Sequence, residues 1–152
     1  MVRVCVGALL IEECGDIRIL LGKRAAARAA WPGVWDVPGG HSEPSEVPEQ
    51  TLIREVQEEI GVTPMAWSLL AEMCEAEPGH GGPVVLHLYA VTAWEGAPYN
   101  RLPEEHAEIA WFSVEAACGL DLAHPDYPAL FRRLAAPRSS GAASSDSGGD
   151  SD

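Results

Sequence analysis

Three glutamates are spaced so that their side chains share one face of a helix. Glu55, Glu58 and Glu59 occupy positions i, i+3 and i+4, which places them within about 6 Å of one another. Carboxylates this close repel one another unless a cation lies between them. Mg²⁺ and Mn²⁺ prefer carboxylate, carbonyl and water oxygens, and they often bind through a few carboxylates together with substrate phosphates. The spacing therefore predicts a site for a divalent cation.

The helix that carries these glutamates is predicted over residues 48–60. Pro48 suits a first helical turn, where its missing N–H is not needed, and Gly61 suits the left-handed residue that ends a helix. The opposite face is apolar and is expected to be buried, through Leu52, Ile53, Val56 and Ile60. The acidic face is therefore expected to line a surface or cleft, with Glu58 and Glu59 exposed to water.

A pair of glycines precedes this helix. Residues 35–37 are predicted to form a short strand, and Gly39 and Gly40 a turn. Because glycine has no Cβ, the backbone at this turn can approach a metal or ligand closely. The carbonyl oxygen of Gly40 is therefore a further candidate ligand for the cation.

The segment from Gly40 to Val62 resembles the Nudix box at every fixed position. It reads Gly-x5-Glu-x7-Arg-Glu-Val-Gln-Glu-Glu-x-Gly-Val, and so many specified positions at fixed spacing make a specific signature. A weaker resemblance to MutT-like members of this family extends over residues 4–134. It implies an α/β fold of the α+β type, in which a mixed β-sheet is sandwiched between helices.

The same resemblance implies a hydrolase that cuts a phosphoanhydride bond in a nucleotide. The residues that it assigns to the metal are Gly40, Glu55, Glu58 and Glu59. Glu55 or Glu58 would position or deprotonate the attacking water. Arg54 is placed among the catalytic residues as a partner of Glu46 that braces the loop against the helix.

Two residues outside the box resemble substrate-binding positions of MutT-like proteins. Arg24 precedes a pair of alanines, where such proteins have an arginine beside the substrate; it could equally be a solvated strand end. Asp126 falls where they have a polar side chain that contacts the edge of the base. A carboxylate there favours a base with donors, such as guanine, but an Asp before a helix can equally serve as its cap.

Other acids and a histidine remain open as site residues. Glu105 and Glu108 lie in an acidic loop from which a glutamate often joins the metal site in this family, and the sequence does not separate them. His87 lies within an apolar strand and is interpreted as a core or pocket histidine rather than a metal ligand.

The expected reaction is the Mg²⁺-dependent hydrolysis of a nucleoside triphosphate to the monophosphate and pyrophosphate, with Mn²⁺ able to replace Mg²⁺. Oxidised nucleoside triphosphates are among the candidate substrates. The alternatives are a Nudix hydrolase of ADP-ribose, a nucleotide sugar, a cytidine triphosphate or a dinucleoside polyphosphate. A non-catalytic nucleotide-sensing module is a further alternative, although such modules usually have broken boxes.

Composition limits the partners of the protein. The chain has 152 residues with a net charge of -13, which disfavours nucleic acid polymers and anionic membranes. We expect one domain over residues 1–136 and a disordered Ser/Gly/Asp-rich tail over 137–152. The expected partner is a small nucleotide, bound by a monomer or homodimer.

The cysteine pattern predicts the compartment. Cys5, Cys14, Cys74 and Cys118 form no Cys-x-x-Cys pair, which indicates reduced and mostly buried thiols. No export signal or membrane-spanning run of apolar residues is recognised. We therefore expect a cytoplasmic protein.

The rest of the chain supplies the predicted sheet and its cover. We expect loops over residues 25–33 and 78–83, a helix over 127–135, and strands over residues 2–11, 17–21, 62–75, 84–94 and 109–114. The first two strands should form a hairpin. The strand over residues 84–94 is apolar throughout and should lie at the centre of the sheet.

Overall fold

The protein is represented by a computed structural model that describes residues 3–25, 33–76 and 83–134. Within these ranges the strands and helices follow one another as β1 (Arg3–Cys14), β2 (Asp16–Arg24), β3 (Trp35–Asp36), β4 (Gly39–His41), α1 (Pro48–Ile60), β5 (Thr63–Ala76), β6 (Pro83–Glu95), β7 (His106–Ser113), α2 (Val114–Cys118) and α3 (residues 127–134). The predicted tail 137–152 lies outside the described residues, and so do positions 26–32 of the predicted alanine-rich loop. Of the predicted loop 78–83, only residue 83 is described.

The strands form a mixed sheet in the order β3-β2-β1-β6-β5, with β4 paired to β1 and β7 paired to β2. The predicted hairpin is confirmed, since β1 and β2 pair antiparallel from Cys14↔Asp16 onward. β6 runs parallel to β1 on one side and antiparallel to β5 on the other, so its predicted central position is also confirmed.

Alternate side chains of β1 are buried on opposite faces of the sheet, as the period of a strand requires. Leu9 and Ile11 pack on the side of α3, in a cluster that includes Phe131. Val6 and Leu10 join the other cluster, which contains the buried residues of α1. The sheet therefore lies between α1 on one face and α2 and α3 on the other, as the fold prediction requires.

Helix α1 has the predicted bounds. Pro48 occupies the first turn, and the chain leaves the helix at Gly61 in the left-handed conformation, with φ of 71°. On the apolar face Leu52, Val56 and Ile60 are fully buried, whereas Ile53 is only partly buried. Gly61 also lacks the Cβ that would overlap the ring of Tyr99, so this position is restricted twice.

Several local predictions are wrong. Gly39 and Gly40 form strand β4 against β1 rather than a turn, because β1 offers them a backbone ladder. The short helix α2 was not expected, and Val114 belongs to it instead of to the preceding strand. None of the four cysteines is buried: two are exposed and two are intermediate, and all are free thiols.

Among the described residues no helix is long and apolar enough to cross a membrane.

Candidate active site

Arg54 is the centre of the polar network on α1. Its Nε and Nη2 atoms donate to the two carboxylate oxygens of Glu46, at 2.6 and 2.8 Å. Nη2 also donates to the carbonyl of His41 at 3.1 Å, and Nη1 to Glu55 at 2.9 Å and Glu58 at 3.5 Å. The guanidinium therefore fixes the β4–α1 loop and two acids of the helix at once, which is the bracing geometry that the sequence predicts.

The carboxyl groups of Glu55 and Glu59 lie close enough to share a hydrogen bond when one of them is protonated. The Glu55 carboxyl also lies against Gly40, because a Cβ built on that glycine would be only 2.5 Å from Glu55 Oε2. The structure thus brings the glycine pair and two of the three helical glutamates together.

Glu59 is buried, contrary to its predicted exposure. Only 3% of its side chain is exposed. The Gly39 N–H donates to Glu59 Oε1 at 3.3 Å, and His106 Nε2 lies 3.0 Å from the same oxygen. Strands β4 and β7 cover this part of the helix, which the periodicity of α1 alone does not reveal.

The pKa values of Glu55, which is partly buried, and of Glu59, which is buried, are both raised. Burial raises the pKa of Glu55 to about 8, and the hydrogen bond and charge of Glu59 act in the same direction. Burial likewise raises the pKa of Glu59 to about 7, to which the charges of Glu105 and Asp36 contribute, while its hydrogen bonds to Glu55 and Gly39 oppose the shift. Burial and the neighbouring acids therefore outweigh the lowering effect of Arg54 on Glu55 and of the hydrogen bonds on Glu59.

These residues fit a divalent cation. Two close carboxyl groups, a backbone that approaches them without a Cβ and a third acid on the same helix provide hard oxygen donors, as Mg²⁺ and Mn²⁺ require. Glu58 is the outer member of the set, with 49% of its side chain exposed and one long contact to Arg54.

The loop between β6 and β7 brings further groups to Glu59. Its backbone is bound to the end of α1: Tyr99 N–H donates to the carbonyl of Ile60 at 3.1 Å, and Arg101 N–H to that of Glu59 at 3.0 Å. Ligand atoms of Glu59, Glu105 and His106 all lie within 4.8 Å of one another.

This arrangement distinguishes the two loop acids that the sequence left open. Glu105 joins the group around Glu59, and its charge acts on the Glu59 carboxyl. Glu108 is exposed in β7, opposite Lys23 in the ladder with β2. Glu105 is therefore the loop acid placed at this site.

Arg24 lies beside a partly buried acid at the far end of β2. Its Nη1 atom is 3.7 Å from Asp36 Oδ2, and the Tyr127 hydroxyl donates to Asp36 Oδ1 at 2.7 Å. Burial raises the pKa of Asp36, although the hydrogen bonds from Tyr127 and the Val37 N–H and the charge of Arg24 oppose this. Arg24 is thus not a solvated strand end, since only 14% of its side chain is exposed.

The remaining sequence candidates lie apart from the carboxylate pair. Asp126 is exposed immediately before α3, where its carbonyl accepts from Leu130 N–H at 3.3 Å and its own N–H donates to His124 Nδ1 at 3.0 Å. His87 is partly buried in β6, and its Nδ1 atom lies 3.5 Å from Glu72 Oε2.

Sequence reasoning missed His106 and Asp36. Both are polar residues at the end of a short strand, and each becomes buried only when a distant segment packs on it. The signal available for His106 was its position beside Glu105 at the start of a strand with alternating polarity. For Asp36 it was a carboxylate between the apolar residues Trp35 and Val37.

Comparison with known proteins gives a consistent result. The family model described as NUDIX domain matches residues 1–134. The CTP pyrophosphohydrolase of Escherichia coli is 32% identical over 142 residues, which cover 91% of this chain and 98% of that protein. The 8-oxo-dGTP diphosphatase of the same organism is 37% identical over 99 residues, covering 65% of this chain and 72% of that protein. The crystal structure of the MutT NUDIX hydrolase from Burkholderia pseudomallei superposes with a TM-score of 0.72 at 28% identity, covering 88% of this chain and 98% of that chain.

Proposed function

This chain belongs to the NUDIX domain family and is a Nudix hydrolase, and we propose that its substrate is a nucleoside triphosphate, which it cleaves to the monophosphate and pyrophosphate. The proteins that it resembles over most of their length are named for the removal of diphosphate from CTP and from 8-oxo-dGTP. Both are triphosphates, so the reaction is shared between them although the bases differ.

The observation that carries this proposal is the contact between the Glu55 and Glu59 carboxyl groups beside Gly40. When both acids are ionised they repel each other, and their contacts with Arg54, the Gly39 N–H and His106 do not fully offset this repulsion, since both pKa values are raised. A cation shared with a polyphosphate substrate would remove it. The arrangement is thus well suited to a protein that binds such a cation.

We assign the divalent ion to Gly40, Glu55 and Glu59, with Glu58 and Glu105 as outer ligands. When bound, a cation such as Mg²⁺, or Mn²⁺ in its place, would neutralise the phosphates and make a nearby water more acidic. The protein itself supplies rigid positions for these acids, because Arg54 holds Glu55 from one side and Gly39 holds Glu59 from the other.

Glu58 is the acid best placed to orient or deprotonate the attacking water. It is half exposed, whereas Glu55 and Glu59 are turned towards each other in the interior. Its long contact with Arg54 leaves the carboxylate able to accept a proton from water at the mouth of the site. Arg54 makes its contacts within the protein, so its catalytic contribution is to hold the acids in place.

The nucleoside end of the substrate is assigned to the side of the site formed by β2, β3 and the start of α3. Arg24 and Asp126 both border this side, and Tyr127 connects them through its hydrogen bond to Asp36. Because Arg24 is already close to Asp36, a contact between Arg24 and the substrate must compete with this ion pair.

A product-resolved hydrolysis panel tests the proposal. The purified protein is incubated with Mg²⁺ and about twenty nucleotides, including CTP, dCTP, 8-oxo-dGTP, ADP-ribose, nucleotide sugars and dinucleoside polyphosphates, and the products are separated by chromatography. We expect a triphosphate to give the monophosphate and pyrophosphate, and Glu55→Gln to abolish this product. Preferred hydrolysis of ADP-ribose or a nucleotide sugar would refute the substrate class. Tight nucleotide binding without turnover would instead revive the sensor alternative.

A cytidine nucleotide is the second candidate among the triphosphates. The relative named CTP pyrophosphohydrolase is matched over almost its whole length, whereas the 8-oxo-dGTP diphosphatase is matched over less of its length. Competition between equal concentrations of CTP and 8-oxo-dGTP distinguishes the two, since the ratio of products gives the ratio of kcat/KM directly.

A further inference from the structure

His106 is a buried residue in contact with the Glu59 carboxyl group that the hydrolytic scheme does not use. It is the first residue of β7, and only 4% of it is exposed. Its Nε2 atom lies 3.0 Å from Glu59 Oε1. When Glu59 is ionised, as it must be to bind a cation, its carboxylate can only accept hydrogen bonds, so Nε2 then carries the proton that is shared in this contact.

On its far side, the imidazole ring packs against the backbone of Gly22, where there is no side chain to displace it. A Cβ built on Gly22 would lie only 2.7 Å from Nδ1 of His106. The ring therefore fills the space above β2, and its position is determined by packing as well as by the hydrogen bond. A larger residue at position 22 would push the ring towards or away from Glu59.

The backbone of His106 is fixed as firmly as its ring. Its N–H donates to the carbonyl of Leu102 at 3.1 Å, and its carbonyl accepts from Asn100 Nδ2 at 2.8 Å. The loop that contains these two residues is itself attached to the end of α1 through Arg101. The histidine and the carboxylate are thus parts of one rigid unit, although they are far apart in sequence.

Two donors meet at a single oxygen of Glu59. Oε1 accepts from the Gly39 N–H and from His106 Nε2, while the carboxyl group also contacts Glu55. Fixing one oxygen from two directions determines the plane of the carboxylate. The other oxygen is then directed to a defined position, which is what a cation with strict octahedral geometry needs.

We propose that His106 is a positioning residue that orients the Glu59 carboxylate for the divalent cation, acting through its Nε2–H and not as a ligand. This inference rests on the proposed function, because it assumes that Glu59 binds the metal. It goes beyond the box, since His106 lies in a different strand from every residue of that motif. It also predicts that the small size of Gly22 is needed for metal binding.

The test compares two amide substitutions that differ in where they place the donor. The side-chain amide of Gln can reach the position of Nε2, whereas that of Asn ends near Nδ1. Binding of Mn²⁺ to His106→Gln, His106→Asn and the unaltered protein is measured by electron paramagnetic resonance without nucleotide. We expect His106→Asn to raise the Kd for Mn²⁺ by about 10-fold and His106→Gln to remain within about 3-fold of the unaltered protein.

Activity supplies a second measurement on the same proteins. With the substrate found in the panel, His106→Asn should raise the Mg²⁺ concentration needed for half-maximal rate by about 10-fold, with little change in KM for the nucleotide at saturating Mg²⁺. Gly22→Ala keeps the imidazole but displaces it, so it should raise the Kd for Mn²⁺, as His106→Asn does. Circular dichroism and thermal unfolding establish that each variant is folded.

Three results would overturn the inference. The first is an unchanged Kd for Mn²⁺ in folded His106→Asn, and the second is equal loss in the Gln and Asn variants. The third is a ¹⁴N coupling from a directly bound imidazole in the Mn²⁺ spectrum, which would make His106 a ligand. Failure of the proposed function looks different: the unaltered protein would hydrolyse no triphosphate, while the difference in Mn²⁺ binding between the Gln and Asn variants would persist.

Discussion

Arg54 separates two groups of carboxylates: Glu46 lies on one side, and the Glu55–Glu59 pair lies on the other. The surroundings of the two groups shift their pKa values in opposite directions. Glu46 accepts the guanidinium fork, the Thr51 hydroxyl and the Glu43 N–H, and these contacts hold its pKa at about 2. In the Glu55–Glu59 pair burial and neighbouring acids raise the pKa values to about 8 and about 7, although Arg54 contacts Glu55.

The difference separates structure from chemistry within one short helix. Both carboxylate oxygens of Glu46 accept hydrogen bonds from within the protein, so its charge is stabilised without any ligand. Its contribution is to fix the loop that precedes α1. Glu55 and Glu59 are not stabilised in their ionised forms by the protein alone, because the two carboxylates repel each other until a cation binds. The same arginine contacts both groups, and the following predictions test whether they are as different as their surroundings indicate.

The largest expected effect comes from the Glu55–Glu59 pair. Glu59→Gln should lower kcat by about 10³-fold, because the amide cannot share a cation with Glu55. The metal-free protein should remain folded, since the substitution also removes a carboxyl group from a buried acid pair. Turnover with saturating Mg²⁺, together with thermal unfolding in EDTA, measures both consequences.

Glu49→Gln is the matched control for this prediction. It lies on the same helix, outside the carboxylate pair, and its Oε2 atom accepts from the Tyr89 hydroxyl at 3.4 Å. Its turnover should stay within about 3-fold of the unaltered protein. If both variants lost activity equally, general acidity of the helix would matter more than the contact between Glu55 and Glu59.

The features of this site that depend on segments close together in the chain could be predicted from the sequence. Residues 48–60 were correctly predicted as a helix because Pro48 and Gly61 mark its ends locally and the apolar period marks its buried face. The approach of Arg54 to Glu46 was also predicted, from the family resemblance. These features depend on segments close together in the chain.

The burial of Glu59 could not be predicted in this way. It results from β4, which was expected to be a turn, and from β7, which begins at His106, far along the chain. A helical period tells which residues share a face, but it does not tell whether another strand covers that face. The selection of Glu105 over Glu108 depended on the same distant contact.

The second prediction concerns the close approach that the pair requires. Gly40→Ala would place a Cβ about where the Glu55 carboxyl lies, with its nearest atoms at 2.5 to 2.6 Å. Glu55 must then move, and we expect kcat to fall by about 10²-fold, because a displacement of about 1 Å in a catalytic group can have this effect. Kinetics with the substrate found in the panel measure the loss.

Gly119→Ala provides the steric control for Gly40→Ala. Its added Cβ would meet nothing closer than the Ala116 carbonyl at 3.6 Å, which is ordinary contact. Activity should be unchanged in this variant. Full activity in Gly40→Ala would show that Glu55 need not lie against the backbone of β4 to function.

The third prediction is that the two groups of carboxylates make stability depend on pH with opposite signs. In the unfolded chain glutamates lose their protons near pH 4.5, whereas the folded pair keeps them until about pH 7 to 8. The folded state therefore binds more protons in this window, so the pair stabilises the metal-free protein at low pH and this contribution is lost as pH rises. Glu46 behaves in the opposite way, since its contribution is present above pH 4.5 and is lost as pH falls towards about 2.

Urea denaturation in EDTA at pH 5.5 and 8.5 measures the contribution of the pair. The unaltered protein should lose about 1–2 kcal/mol more than the variant with both Glu55→Gln and Glu59→Gln, after allowance for screening by solvent. Saturating Mg²⁺ at pH 8.5 should restore the unaltered protein but not the double variant, because a cation that binds only the folded state stabilises it. Identical pH dependence in both proteins would mean that the pair is not strained.

The smallest effect is expected where the guanidinium links the two groups. Arg54→Lys keeps the charge but loses the planar fork that contacts both oxygens of Glu46 and, through Nη1, Glu55. The thermal midpoint should fall by a few degrees and kcat by about 3- to 10-fold, since the acids lose orientation but not the ability to bind a cation. Glu46→Gln should produce the same drop in midpoint while retaining more activity, because it leaves Arg54 in contact with Glu55. If Arg54→Lys instead abolished turnover as completely as Glu59→Gln, Arg54 would act directly in the reaction. The distinction between a structural carboxylate, Glu46, and a catalytic pair, Glu55 and Glu59, would then be wrong.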